Sequence, residues 1–226
     1  METPPPSPNY ATPAPPPLDI GHCLNEALAV YHKNGIILVL AAVIFHGLSL
    51  VSLTALTGPL VGGIYIMAIA ALTSPDKKID INLMFSQFSR FGPLLGLFLL
   101  TMIPTLFGFA LLVVPGVLLM TLWMYSFPLL IERNMTITQA MTASWRIVLR
   151  NGLGWNLLLS AIIFALAMVP VLIPYLGFVI GCFLAPITWL MVSSAYIQQV
   201  RERESELADI LSPRGFPVQS VQPASS

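Results

Sequence analysis

Charged side chains are scarce in this chain and unevenly placed. Only 9% of its 226 residues are Asp, Glu, Lys or Arg, whereas soluble domains carry about 25%. Residues 34–75, 91–131 and 151–200 contain none. So few charges could not cover the surface of a soluble domain, so that class is excluded. Each uncharged segment is about twice the ~20 apolar residues that one helix needs to cross a bilayer. The sequence therefore predicts an all-α polytopic membrane protein with two spans per segment.

Several kinds of chemistry also lack their usual residues. The net charge is zero, which gives no indication of a nucleic-acid partner. Cys23 and Cys182 lie in segments of different character, and we expect both to stay reduced. His22, Cys23, Glu26 and His32 do not complete a metal-ligand spacing. No nucleophile elbow, phosphate-binding loop or carboxylate pair occurs. We therefore predict no metal, no cofactor and no catalytic residue, and an activity other than catalysis is favoured.

Turn residues lie near the middle of each uncharged segment. They are Gly58-Pro59, Pro115-Gly116 and the run from Pro174 to Gly177. Glycine and proline are the strongest local breaks in helical patterns. With turns at these positions, the sequence predicts three hairpins of six transmembrane helices, at residues 35–54, 57–74, 93–113, 117–132, 154–173 and 178–198.

The basic residues predict an orientation. All ten Lys and Arg lie in the segments on the side of the chain ends, and none lies in the three turns. Positively charged loops favour the cytoplasm. We therefore expect a multi-pass protein of the cell membrane with both termini in the cytoplasm.

A short amphipathic segment precedes each predicted hairpin. These segments cover residues 19–34, 80–91 and 136–151, and their apolar side chains recur at the spacing of one helical face. Asp19, Asp80 and Thr136 are expected N-caps, the last with Gln139 in a capping box. Such helices lie in the headgroup plane of a membrane. Each hairpin is therefore predicted to follow a cytoplasmic interfacial helix.

Composition divides the chain into three parts. Residues 1–17 include eight prolines and are expected to form a disordered cytoplasmic arm. Residues 18–200 form the membrane domain, and residues 201–226 a cytoplasmic tail with a short helix followed by disorder. The membrane domain is read as three copies of one unit, although three unrelated loop helices would give a similar pattern. The possible repeats are residues 18–75, 79–132 and 136–200.

His46 is the candidate functional residue, because it is the only histidine well inside a predicted span. Ionisable groups inside a membrane are costly and suggest a function. A proton relay would need a partner, and no predicted span contains a carboxylate to serve. The alternative is a structural neutral ring that donates a hydrogen bond to a carbonyl of a neighbouring helix.

Small residues and aromatic rings suggest how the helices pack. Three GxxxG matches let helix backbones approach closely, either within the chain or between copies in a homo-oligomer. We expect Tyr31, Trp145, Trp155 and Tyr196 to anchor the protein at the cytoplasmic interface. The glycines are Gly58, Gly62, Gly92, Gly96, Gly177 and Gly181.

Three stretches carry a resemblance to a known group of proteins. They read GPLVGGIYIMAIA, INLMFSQFSRFGPLLGLFLL and LLVVPGVLLMTLWMYSFPLLIERNMTITQAMTASWRIVLRNG. The chain resembles, over about residues 18–200, a broad family of uncharacterised bacterial six-span membrane proteins. It also looks like the membrane domain found ahead of some glycerophosphoryl diester phosphodiesterases. The resemblance implies a bacterial cytoplasmic membrane and no settled activity, because nothing here corresponds to the phosphodiesterase catalytic domain.

Three functions follow from these features. A non-catalytic module that organises lipids or a partner protein is favoured, because the charges, amphipathic segments and arm all share one predicted face. A small transporter or channel subunit with a path near His46 is the alternative. An intramembrane enzyme is third, because no nucleophile or metal site supports it.

Overall fold

The computed structural model describes residues 18–74, 77–173 and 176–211, and these residues form helices and turns without any β-strand. The predicted arm and the end of the tail lie outside this range. The helices are α1 (Ile20–Val51), α2 (Thr57–Thr73), a 3-10 helix (Ile81–Arg90), α3 (Phe91–Leu111), α4 (Val113–Leu122), α5 (Ser126–Glu132), α6 (Ile137–Arg150), α7 (Leu153–Leu172), α8 (Gly177–Tyr196), a π-helical turn (Ile197–Arg201) and α9 (Ala208–Leu211).

Five helical stretches are long and apolar enough to cross a membrane. They are Ile20–Val51, Ile81–Leu111, Val113–Glu132, Leu153–Leu172 and Gly177–Arg201. The prediction of an all-helical protein with several apolar spans is confirmed. The second predicted span, residues 57–74, corresponds to α2, which has 17 residues and falls below that length.

The three amphipathic segments are helical and begin at the expected caps. The carboxylates of Asp19 and Asp80 accept from the backbone N–H groups of His22 and Asn82. Thr136 forms the complete capping box with Gln139. The second segment is a 3-10 helix rather than an α-helix. These local predictions are confirmed because each depends only on residues three or fewer positions apart.

The amphipathic segments join the apolar helices in three different ways. Within α1, Asn34 has non-helical angles (φ −125°, ψ 19°), which separates residues 20–33 from the apolar part of the helix. The 3-10 helix runs directly into α3. Between α6 and α7, Gly152 adopts φ +102°, a conformation that residues with a Cβ rarely adopt.

Two of the predicted turns lie at the wrong residues. The first break in the helices spans residues 52–56, where Leu53 and Thr54 have positive φ, and Gly58-Pro59 instead forms the first turn of α2. The second break is Leu112 alone, and Pro115-Gly116 belongs to the first turn of α4. Proline is tolerated there because its missing N–H would have no partner in the first turn of a helix. The third predicted turn lies partly outside the described residues.

α2 occupies the centre of the helical bundle. It packs against α1, α3, α5, α8 and the 3-10 helix, and most of its residues are buried. Gly63 lies so close to the 3-10 helix that a Cβ there would overlap the carbonyl group of Met84. Other extensive contacts join α1 to α8, α3 to α4, α7 to α8, α5 to α6 and α4 to α7.

Candidate functional site

A break between α4 and α5 creates a buried polar site. Residues 123–125 leave the helical pattern, so backbone groups near the break need other partners. The Ser144 hydroxyl of α6 supplies two of them: it accepts from the Tyr125 N–H (3.2 Å) and donates to the Leu122 carbonyl (2.7 Å). The buried Tyr125 hydroxyl donates to Asn156 Oδ1 of α7 at 2.6 Å. The break is therefore held by side chains from two other helices.

The last turn of α8 binds two acidic side chains, those of Glu132 and Glu26. The Tyr196 hydroxyl donates to Glu132 Oε2 at 2.9 Å, and the Ser194 hydroxyl donates to Glu26 Oε2 at 2.5 Å. Arg201 Nε lies 3.6 Å from the same oxygen of Glu132. Tyr196 is completely buried, so its predicted role as an interfacial anchor is wrong. Trp145 and Trp155, by contrast, are about half exposed, at 50% and 49%.

Residues after α8 connect the amphipathic segments to one another. Gln198 accepts from the Asp19 N–H (3.2 Å) through its side-chain oxygen, and Asn151 Nδ2 donates to the Gln199 carbonyl (3.0 Å). Arg133 pairs with Glu204, and Arg150 Nη1 lies 2.7 Å from Asp209 Oδ1. In the second segment, Arg90 Nη1 donates to the carbonyls at the end of α5 and so connects this segment to that helix. We call residues 19–33, 81–90, 132–151 and 194–211 the polar layer.

The ion pairs of the polar layer titrate at acidic pH. The hydrogen bond from Arg133 lowers the pKa of Glu204 below its ordinary value of 4.5. The hydrogen bond from Arg150 likewise lowers the pKa of Asp209 below 3.8. The stabilisation from both pairs is therefore present above those ordinary values and is lost as the pH falls through the lowered ones. Both carboxylates are exposed, so water and salt screen the pairs and each contributes little.

His46 lies at the opposite end of the bundle, twelve residues beyond the irregular Asn34 and so roughly 18 Å further along α1. It lines a cavity of about 670 Å³ between α1, α7 and α8, together with Phe45, Pro170 and Trp189. His46 Nδ1 lies 2.7 Å from the Ala42 carbonyl, one turn earlier in the same helix. The expected acceptor on a neighbouring helix is therefore replaced by one within α1. Whether His46 has a function stays a prediction.

The six glycines of the GxxxG matches have different surroundings. A Cβ at Gly58 would overlap backbone atoms of Leu94 in α3, and one at Gly177 would overlap the Pro170 carbonyl. Gly62 and Gly96 face side chains at close range, Gly181 has ordinary contact with Pro170, and Gly92 faces open space. The close contacts are therefore within the chain. An association between copies stays a prediction.

The residues that sequence reasoning missed are neutral. Tyr125, Ser144 and Asn156 carry no charge at neutral pH, so a search for ionisable groups inside spans passes over them. The available signal was Asn156, because an amide within an apolar run has to find a hydrogen-bond partner. No group of three or more His, Cys, Asp or Glu side chains that could hold a metal occurs within residues 18–74, 77–173 and 176–211.

Comparison with protein-family models, with curated proteins and with solved structures found no match.

The Ser144 contacts predict a specific loss of stability. Replacing Ser144 with Ala leaves the Tyr125 N–H and the Leu122 carbonyl buried without this partner. Each unsatisfied group costs about 1–3 kcal/mol, so we expect a clear fall in the unfolding temperature of the detergent-solubilised protein. Thr142→Ala, on the exposed face of the same helix, serves as the matched control. Equal unfolding temperatures for the two variants would show that Ser144 does not hold the break.

Proposed function

We propose that this chain is a six-span protein of a bacterial cytoplasmic membrane with both termini in the cytoplasm. In this proposal it has no catalytic role and organises lipids or a partner protein at its cytoplasmic face. The observation that carries the proposal is the polar layer. Residues 194–211 tie the first and third amphipathic segments to each other through hydrogen bonds and ion pairs. Arg90 of the second segment donates to the carbonyls at the end of α5, next to this layer. Such a layer provides a preformed surface on one side of a membrane.

The packing of α2 supports a sixth span. Its 17 residues extend roughly 25 Å, somewhat less than the ~30 Å hydrocarbon thickness. A short span is accommodated by local thinning of the bilayer at modest cost. Because α2 is surrounded by other helices, its ends need little contact with lipid. Six spans place the beginning and the end of the membrane domain on the same side of the membrane. The polar layer requires this, because it contains residues from both ends of that domain.

The exposed face of α6 supports a lipid-binding role. α6 buries Ala140, Ser144 and Ile147 against the bundle, so Trp145 and Leu149 remain half exposed one turn apart. The arginines at 146 and 150 follow each of them and are also exposed. Aromatic and apolar groups beside cations are typical of helices that lie among lipid headgroups.

A groove along α1 provides a second lipid contact. It has a volume of about 580 Å³, begins at Tyr31 and His32 beside the irregular Asn34, and continues along apolar residues to Val43 and Phe183. A polar beginning and an apolar continuation match the two parts of a phospholipid.

The topology can be tested by cysteine labelling in intact cells. In a chain without native cysteines, single cysteines at Leu53, Leu112 and Leu176 should react with a membrane-impermeant maleimide added outside. A cysteine at the exposed Ser205 should react only after permeabilisation. If the cysteine at position 53 reacts only after permeabilisation, a sixth span is contradicted. If the cysteine at position 205 reacts from outside, the orientation is contradicted.

Lipid binding can be tested by native mass spectrometry after mild extraction from native membranes. We expect retained anionic lipid on the full chain and about two- to fivefold less on Arg146→Gln, because one cation near the headgroups contributes about 1 kcal/mol. Lys78→Gln removes an exposed cation from another loop and serves as the charge-matched control. Reproducible absence of both lipid and protein partners would contradict the proposal.

A small transporter or channel subunit is the second candidate, and the cavity that contains His46 favours it. It predicts solute flux across liposomes that weakens in His46→Ala. The packing argues against a continuous path. Towards the polar layer, Ala41, Ala42 and Leu38 are fully buried where α1 packs on α8, so this end of the cavity is closed. An inert reconstituted protein would remove the transporter reading.

A further inference from the structure

The cavity at His46 offers hydrogen-bond acceptors. The side-chain protons of His46 and Thr188 already form hydrogen bonds with backbone carbonyls. A carbonyl oxygen can only accept, so the 2.7 Å contact with Ala42 requires a proton on His46 Nδ1. The neutral ring then carries a lone pair on Nε2. Thr188 donates its hydroxyl proton to the Ala185 carbonyl at 2.8 Å, which leaves only oxygen lone pairs for the cavity. Among the described side chains that line the cavity, the remaining polar one is Trp189, whose indole N–H is a donor.

The rest of the lining determines the kind of molecule that fits. It is apolar and contains no Asp, Glu, Lys or Arg. A carboxylate or phosphate would lie there without a counter-charge and would face acceptors, which is costly in an apolar cavity. A hydroxyl, however, can donate to His46 Nε2 and accept from an indole N–H. A cavity of about 670 Å³ lies within the range of small-molecule sites.

The cavity has an apolar rim at the end of the bundle away from the polar layer. Val171 and Phe178 line the cavity and are 71% and 53% exposed, so an alkyl chain can pack against them. The opposite end is closed by the packing of α1 on α8.

We propose that this cavity binds an uncharged lipid alcohol, with its hydroxyl donating to His46 Nε2 and its alkyl chain packed against Val171 and Phe178. The site is separate from the polar layer and does not depend on the role proposed for that layer. It assigns His46 the recognition of a hydrogen-bond donor rather than the movement of a proton.

The test uses the full chain in nanodiscs and a photoactivatable hexadecanol with a diazirine on its chain. Cross-linked peptides mapped by mass spectrometry should come from α1, α7 and α8. Two competitors are compared: hexadecanol, and hexadecyl methyl ether, which has no donor. One neutral hydrogen bond makes hexadecanol about three- to tenfold more effective. Equal competition by the two molecules, or labelling spread over the other apolar helices, would overturn the proposal.

Variants separate recognition from partition into the bilayer. His46→Leu should remove the advantage of the alcohol while the site of labelling stays the same. Should that variant fail to fold, His46→Phe keeps an aromatic ring without the acceptor and should also remove the advantage. Thr188→Val is the control within the cavity, because the single hydroxyl proton is assigned to His46 Nε2 and not to Thr188. An unchanged advantage in both His46→Leu and His46→Phe would refute the proposal.

A filling variant tests the cavity itself. Gly181 lines the cavity, and a Cβ there would have ordinary contact with the Pro170 ring at 3.7 Å, so Gly181→Leu adds volume without a backbone clash. It should abolish labelling by the diazirine probe. Persistent labelling of the same peptides in this variant would show that the probe binds outside the cavity.

Discussion

An uncompensated charge in hydrocarbon is costly, and this cost organises the whole molecule. The apolar helices contain no Asp, Glu, Lys or Arg between residues 34 and 75, 91 and 131, or 151 and 200. Three charged groups near these stretches have partners: Glu26 and Glu132 accept from the last turn of α8, and Arg90 donates to carbonyls at the end of α5. The polar layer is therefore a consequence of the same cost, since charges excluded from the apolar region gather where they can pair.

The same requirement applies to neutral backbone groups. A helix that breaks within an apolar region must find other partners for its N–H and carbonyl groups. The break between α4 and α5 meets this requirement with one serine hydroxyl that both accepts and donates. α6 is an amphipathic helix, yet its buried face supplies Ser144 as well as apolar contacts. The amphipathic segments are thus part of the packing of the apolar helices and not only a cover over their ends.

How much could be predicted from the sequence depends on the range of the interaction. The caps at Asp19, Asp80 and Thr136 involve neighbours within three residues, so a pattern reveals them. Proline and glycine indicated the approximate position of the first two turns but not the exact residue, because Pro59 and Pro115 lie in the first turn of the following helix. Tyr196 was misread because its partner Glu132 is 64 residues away. The cavity at His46 also depends on three separate helices, so no local pattern indicates its shape.

The two ends of the bundle select different chemistry for the same physical reason. In the polar layer, opposite charges face each other near water, where an anionic headgroup can exchange with an exposed ion pair at little cost. The described residues that line the cavity around His46 carry no Asp, Glu, Lys or Arg, and the protons of two polar side chains are fixed on backbone carbonyls. Selectivity there must come from the direction of a single hydrogen bond, because an unpaired buried acceptor is costly. The two proposals therefore assign a charged lipid to one surface and an uncharged lipid to the other half of the bilayer, without a path that connects the two.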